Sequence, residues 1–235
     1  MRTLACRAQR QACCTLDRRP PAVRGSARPL APRTPMSIRF LALGDSYTIG
    51  ESVAPGERWP VQLAHLLTAR GVALDEPRII ATTGWTTDEL ARALDEALAT
   101  GLPPAGWGLV TLLIGVNNQY RGRDVENYRG EFEALLRRSI DLADGRRDRV
   151  LVVSIPDWGV TPFAEGRDRA AIAAGIDAYN EAHRAVCEAH GVADIDITDL
   201  SRQHALLVAE DGLHPSGAMY RLWAERLCDR LGSLR

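Results

Sequence analysis

From Met36 to Gly50 the chain reads MSIRFLALGDSYTIG. The mostly apolar run Ile38–Leu43 is short and stops at a glycine, as a strand buried on both faces does. It passes straight into Gly44-Asp45-Ser46, a turn that sets a polar side chain at the end of the strand. Similar runs recur at Arg78–Ala81, Leu109–Ile114, Val150–Ile155 and Ala193–Ile197. Longer segments of helical period separate them, and this alternation implies a parallel sheet with helices on both faces.

The helical segments are marked by their apolar spacing. Trp59, Leu63, Leu66 and Leu67 form one stripe, and Leu90, Leu94 and Leu98 form another. Thr86 followed by Glu89 is a capping-box pattern that starts the second of these helices. Two longer helices are expected at about 124–142 and 168–189. A last one runs over 215–231, where Met219, Trp223, Leu227 and Leu231 recur every four residues. Right-handed crossovers then give a three-layer α/β/α sandwich of flavodoxin-like type, its five-stranded parallel sheet in the order 2-1-3-4-5.

Composition narrows the function. The 235 residues are 46% hydrophobic and 25% charged, the balance of a globular domain. All 29 basic residues are arginine. Eight of them fall in residues 1–35 beside a single acid, Asp17, together with Cys6, Cys13, Cys14 and five prolines. That segment has no secondary-structure period. It reads as a disordered basic extension, a transit or export segment, or an upstream start misassigned ahead of Met36, with 36–235 as a single domain. Translation from Met36 would give a cytoplasmic protein, since no secretory signal is evident.

The remaining 200 residues carry 21 arginines against 29 acids, which argues against a nucleic-acid partner. No apolar run approaches the length of a transmembrane helix. Without lysine there is no P-loop, and no G-x-G-x-x-G follows a strand, so no nucleotide cofactor is expected. Cys187 and Cys228 lack metal-ligand spacing and read as small core residues. Asp194, Asp196 and Asp199 alternate as a hard-metal site might, but fit a solvated edge better, so no metal is expected. His65, His183 and His190 read as surface or boundary residues within helices, and His204 as exposed.

In open parallel sheets the ligand crevice lies beyond the carboxyl ends of the strands. Strand one ends at Gly44-Asp45-Ser46-Tyr47, strand two at Thr82-Thr83-Gly84-Trp85 and strand three at Gly115-Val116-Asn117-Asn118. The loop before the last helix reads Asp211-Gly212-Leu213-His214. A serine becomes a nucleophile when a histidine takes its proton and a carboxylate fixes that histidine. Ser46, His214 and Asp211 are those three groups. The amides of Ser46 and Gly84 and the carboxamide of Asn117 are donors suited to an oxyanion. Tyr47, Trp85, Tyr120 and Trp158 lie in or near the same loops, as walls of an apolar substrate pocket or as core. The pentad Gly44-Asp45-Ser46-Tyr47-Thr48 is not the G-x-S-x-G elbow of classical α/β-hydrolases.

The four blocks GDSYTIG, Gly84, GVNN and DGLH, taken in order, resemble those of the SGNH or GDSL hydrolases, over essentially residues 38–231. The resemblance implies the same three-layer fold and a metal-free esterase, lipase, thioesterase or carbohydrate deacetylase. Ser46 would be the nucleophile, Asp211 and His214 its triad partners, and Ser46, Gly84 and Asn117 the oxyanion hole. Two positions depart from the family pattern: Tyr47 replaces the usual leucine, and Asn118 replaces an aspartate, removing a carboxylate beside Asn117. The expected activity is serine-dependent hydrolysis of a small-molecule carboxylic ester through an acyl-enzyme. The alternatives are a carbohydrate O-deacetylase, a decayed domain of this fold that only binds, and, by fold analogy alone, an FMN binder. A short-chain ester, a lysophospholipid and an acetylated sugar all remain open as substrates.

Overall fold

The computed structural model describes residues 37–232, so the 1–35 extension lies outside the described residues. The elements run β1 (Phe40–Gly44), α1 (Ser46–Ile49), α2 (Trp59–Ala69), β2 (Arg78–Ala81), α3 (Thr87–Ala99), β3 (Leu109–Leu113), α4 (Val116–Tyr120) and α5 (Val125–Leu142). They continue with β4 (Val150–Val153), α6 (Arg169–His190), β5 (Ala193–Ile195), α7 (Thr198–Gln203) and α8 (Gly217–Gly232). The five strands form one parallel sheet in the order β2-β1-β3-β4-β5. This is the expected topology.

Every residue of β1, β3 and β4 is buried, because helices cover both faces of the sheet. Helices α2 and α8 pack on each other, while α5 packs between α3 and α6. Trp59, Leu63 and Leu67 of α2 meet Met219, Trp223 and Leu227 of α8 in the same apolar core. On the other side Tyr128, Phe132 and Leu136 share that core with Ile176 and Tyr179. No described helix is long and apolar enough to cross a membrane.

Local chemistry sets the helix starts. The side chains of Asp124 and Asp168 accept the amides of Asn127 and Ala171, each at 3.0 Å, satisfying first-turn donors that lack an intrahelical partner. Before α3 the Glu89 carboxylate reaches back to the Thr86 amide at 2.9 Å, as the sequence pattern requires. The last helix starts two residues later than its Pro215, at Gly217.

One expectation changes. His183 is buried at 1% exposure, not at a boundary, because it continues the Ile172, Ile176, Tyr179 stripe that α6 turns inward. Its Nδ1 lies 3.3 Å from the Tyr128 hydroxyl, and its Nε2 lies 3.3 Å from Asp194 Oδ1 without hydrogen-bond alignment. Of the aspartates near β5, Asp196 is exposed and Asp199 partly so, as at a solvated edge, while Asp194 is nearly covered; each carboxylate is separately engaged. Asp194 faces His183 and Arg184, Asp196 accepts from Ser154 and Thr198, and Asp199 pairs with Arg226. His190, half-buried, bonds Glu133 at 2.9 Å. Cys187 and Cys228 are unpaired thiols inside the core.

Gly44 is where β1 must yield to α1 in very little space. A Cβ there would stand 2.5 Å from the Leu113 carbonyl oxygen on β3 and closer still to Thr48 Oγ1. The strand-end serine is thus delivered through a gap only glycine passes. Gly44→Ala is expected to lower stability by about 1–3 kcal/mol through overpacking, read as a shift in urea midpoint; an unshifted midpoint would show that β1 and β3 part freely.

Candidate active site

The carboxyl edge of the sheet opens into a cleft of about 210 Å³. Its walls include Ser46, Gly84, Asn117 and His214, one from each loop singled out in the sequence. Ser46 is 5% and His214 9% exposed, so both sit in a recess rather than on the surface.

The loop carrying His214 is fixed by its own aspartate. Asp211 Oδ1 accepts the amides of Leu213 and His214, each at 2.9 Å, which folds the four residues into a tight turn. Its Oδ2 then meets His214 Nδ1 at 2.6 Å, the short distance of a charge-assisted bond. The Ser52 hydroxyl donates to the same oxygen at 2.7 Å. Ser52 is one of two non-glycine residues with positive φ among the described residues, at 63°. Burial alone would raise the Asp211 carboxyl. The hydrogen bonds from His214, Ser52 and the two amides outweigh it and hold the group down at about 2. Asp211 is therefore a carboxylate throughout the neutral range.

His214 is oriented on its other side by packing. The Tyr47 ring meets it edge-on at 5.8 Å and leans on Trp223 at 6.2 Å. Tyr47 is thus both cleft wall and buttress for the imidazole. Among the described residues neither the Ser46 hydroxyl nor His214 Nε2 has a hydrogen-bond partner; the two line one cleft without a direct bond between them.

The donor side is built from two asparagines. Asn117 Nδ2 donates one N–H to the Trp85 carbonyl at 2.9 Å, which turns the amide and leaves its second N–H unspent. Asn118, fully buried, accepts the Thr87 amide at 3.1 Å and donates to Thr87 Oγ1 at 2.7 Å. The Thr87 hydroxyl donates onward to Glu131. A carboxamide at 118 therefore ties α4 to the start of α3 from both of its ends. Gly84 has φ of +86°, a conformation that glycine adopts without strain. Its carbonyl is held by Arg121 Nη2 at 2.6 Å. The amides of Ser46 and Gly84 have no acceptor among the described residues.

Of the aromatic residues expected to wall the pocket, Tyr47, Tyr120 and Trp158 do so. Trp85 does not: its half-buried ring packs against the core, and only its carbonyl serves the site. The sequence reading missed Ser52 and Phe163. Phe163 lies in the loop after β4, a strand end that could have been searched like the others. Nothing in the sequence points to Ser52, which lies 159 positions from its partner.

A five-stranded parallel sheet covered by helices, with these loops gathered at its carboxyl edge, defines a protein of the α/β/α sandwich class. The model of the GDSL-like lipase/acylhydrolase family matches residues 42–222, and the chain belongs to that family. No curated protein matches the sequence significantly. Among solved structures, TesA superposes with a TM-score of 0.65 at 19% identity, over 84% of this chain and 99% of its own. A family 3 carbohydrate esterase from Clostridium thermocellum gives 0.64 at 20%, over 85% and 99%. The psychrotrophic esterase EstA from Pseudoalteromonas sp. gives 0.61 at 18%, over 83% and 97%. These likenesses are of fold.

Asp45, beside the serine, is the opposite of Asp211. Its Oδ1 caps the Tyr47 amide at 3.0 Å, but its Oδ2 is buried without a partner, and burial pushes the carboxyl up to about 7. A carboxyl raised in the folded state binds protons the unfolded chain has released. Its contribution to stability is complete below the ordinary carboxyl range and is lost as pH rises towards 7, by up to about 1.4 kcal/mol per pH unit. Asp45→Asn, which keeps the capping oxygen, is expected to flatten that slope in urea titrations between about pH 4 and 7; a parallel slope in both proteins would refute it.

Proposed function

We propose that the protein is a serine-dependent carboxylic ester hydrolase that works through an acyl-enzyme. The observation that carries this reading is the meeting of Ser46 with a carboxylate-bound His214 in one cleft, beside donors with free N–H groups.

Ser46 Oγ attacks the ester carbonyl as its proton passes to His214 Nε2. Asp211 accepts the hydrogen bond of Nδ1–H and keeps its own charge, which fixes the tautomer and stabilises the imidazolium. The oxyanion rests on the Ser46 and Gly84 amides and on the free N–H of Asn117. Collapse expels the alcohol oxygen, which takes the proton from His214 and leaves the acyl group on Ser46. A water then gives its proton to His214, attacks the acyl carbon, and the acid departs as Ser46 Oγ is reprotonated. No step calls for a metal or cofactor. The aromatic wall of Tyr120, Trp158 and Phe163 suits an apolar acyl or alcohol arm.

A fluorophosphonate is expected to label Ser46, and Ser46→Ala to abolish both labelling and turnover of para-nitrophenyl esters. Asn117→Ala should cost roughly 10²–10³ in kcat by removal of one oxyanion donor. A panel of esters from acetate to palmitate, with acetyl-xylan and lysophosphatidylcholine, ranks the substrate classes.

Ser52→Ala removes one bond to Asp211 while leaving His214 in place. It should lower kcat about 3- to 10-fold, as loss of one partly exposed hydrogen bond does. An unaltered kcat would show that the turn alone positions the carboxylate.

A further inference from the structure

One arginine stands over the aromatic wall of the cleft. The Arg167 guanidinium carbon lies 5.0 Å from the Phe163 ring centroid and 5.5 Å from those of Tyr120 and Trp158. All three rings line the cleft that holds Ser46 and His214. The rings brace one another, with centroids 5.4 Å apart for Tyr120 and Trp158 and 6.1 Å for Trp158 and Phe163. The indole of Trp158 is pinned by its N–H bond to Gln119 Oε1 at 2.9 Å. The cation therefore sits on a stiff platform, drawn there by the electron-rich ring faces.

Its hydrogen-bonding capacity is almost unspent. A guanidinium has five N–H donors, and its one hydrogen bond among the described residues is a long contact of 3.4 Å to the Tyr120 hydroxyl. No carboxylate of the described residues lies within ion-pair distance of Arg167, although residues 36–235 carry an excess of acids. Three acids near the cleft are engaged elsewhere: Asp211 with His214 and Ser52, Glu89 with Arg121 and Thr86, and Glu51 with Thr83. Arg121, the other cation beside the cleft, is committed to the Gly84 carbonyl and Glu89.

We infer that Arg167 is a specificity-determining residue that selects esters bearing an anionic group, a carboxylate or a phosphate, at the end of an apolar arm lying along Tyr120, Trp158 and Phe163. The inference rests on the ester-hydrolase reading of the site and adds the charge of its substrate. The planar fork of a guanidinium matches either anion with two parallel bonds. The ring platform fixes its position in advance, so little side-chain freedom is lost on binding.

Three probe pairs locate the charge. Para-nitrophenyl monoglutarate and its terminal amide place it on the acyl arm. Meta-carboxyphenyl acetate and its amide place it on the alcohol arm as a carboxylate. Meta-(phosphonooxy)phenyl acetate and its dimethyl phosphate ester place it there as a phosphate. At least one pair is expected to show about a 5-fold or greater preference in kcat/KM for the anion. Salt should shrink that preference, Arg167→Gln should bring the ratio close to one, and Arg167→Lys should retain part of it. If Arg167 only stiffens the wall, Arg167→Gln slows both members of each pair alike and the ratio stands, which overturns the proposal. Absence of an anion preference in all three pairs overturns it too, while turnover of the neutral members keeps the hydrolase reading intact. The contact is also read without turnover, by calorimetric binding of glutarate monoamide and phenyl phosphate to Ser46→Ala protein. A Kd for both that ignores Arg167→Gln refutes the inference, whereas an Arg167-dependent Kd supports it even if no ester is cleaved.

Discussion

A parallel sheet delivers every strand in the same sense, so every strand's carboxyl end arrives at one edge. Residues that follow different strands are brought into one neighbourhood without any of them being close in sequence. Ser46, Gly84 and Asn117 meet for that reason, each a few residues beyond β1, β2 and β3. The register makes the meeting close: Gly44 pairs with Ala81 on one side and Leu113 on the other, so the three strands end level. Slippage of one strand by a residue would swap the faces on which its side chains pack and separate these loops. The burial of β1 and β3 on both faces is what resists it.

On this frame two aspartates have been given opposite environments. Asp211 lies in a turn that supplies it with two amides, a hydroxyl and an imidazole, so it remains charged. Asp45, one residue from the serine, has a single amide and a dry, unpartnered oxygen, so its neutral form is favoured. Below about pH 7 the two carboxyls therefore differ in charge. On the proposed mechanism that keeps negative charge off the turn of Ser46 and concentrates it behind the imidazole of His214. The same separation of roles by solvation underlies acid and base assignments in paired-carboxylate sites.

The sheet order and the gathering of the four loops at one cleft were legible because both depend on local patterns. Apolar runs mark strands, capping residues such as Asp124 and Asp168 mark helix starts, and the order of blocks along the chain places the loops. Legibility failed where contacts depend on the direction of a side chain. Trp85 follows Gly84 directly, yet its ring turns to the core while its carbonyl serves Asn117. His183 was misplaced although its four-residue spacing from Tyr179 puts it on the buried stripe; its polar character masked the period. The long-range partners, Ser52 with Asp211 and Arg167 with three rings, follow from the packing of loops and leave no periodic trace.

The loop that carries Phe163 is joined to the loop that carries His214 by a main-chain bond, the Phe163 amide donating to the Gly212 carbonyl at 3.0 Å. The cleft wall and the His214 turn are consequently geared together. On the proposed mechanism, remodelling of residues 158–167 to accommodate a new substrate also tilts the general base, so directed evolution would trade turnover against choice of substrate unless both loops are varied in the same library.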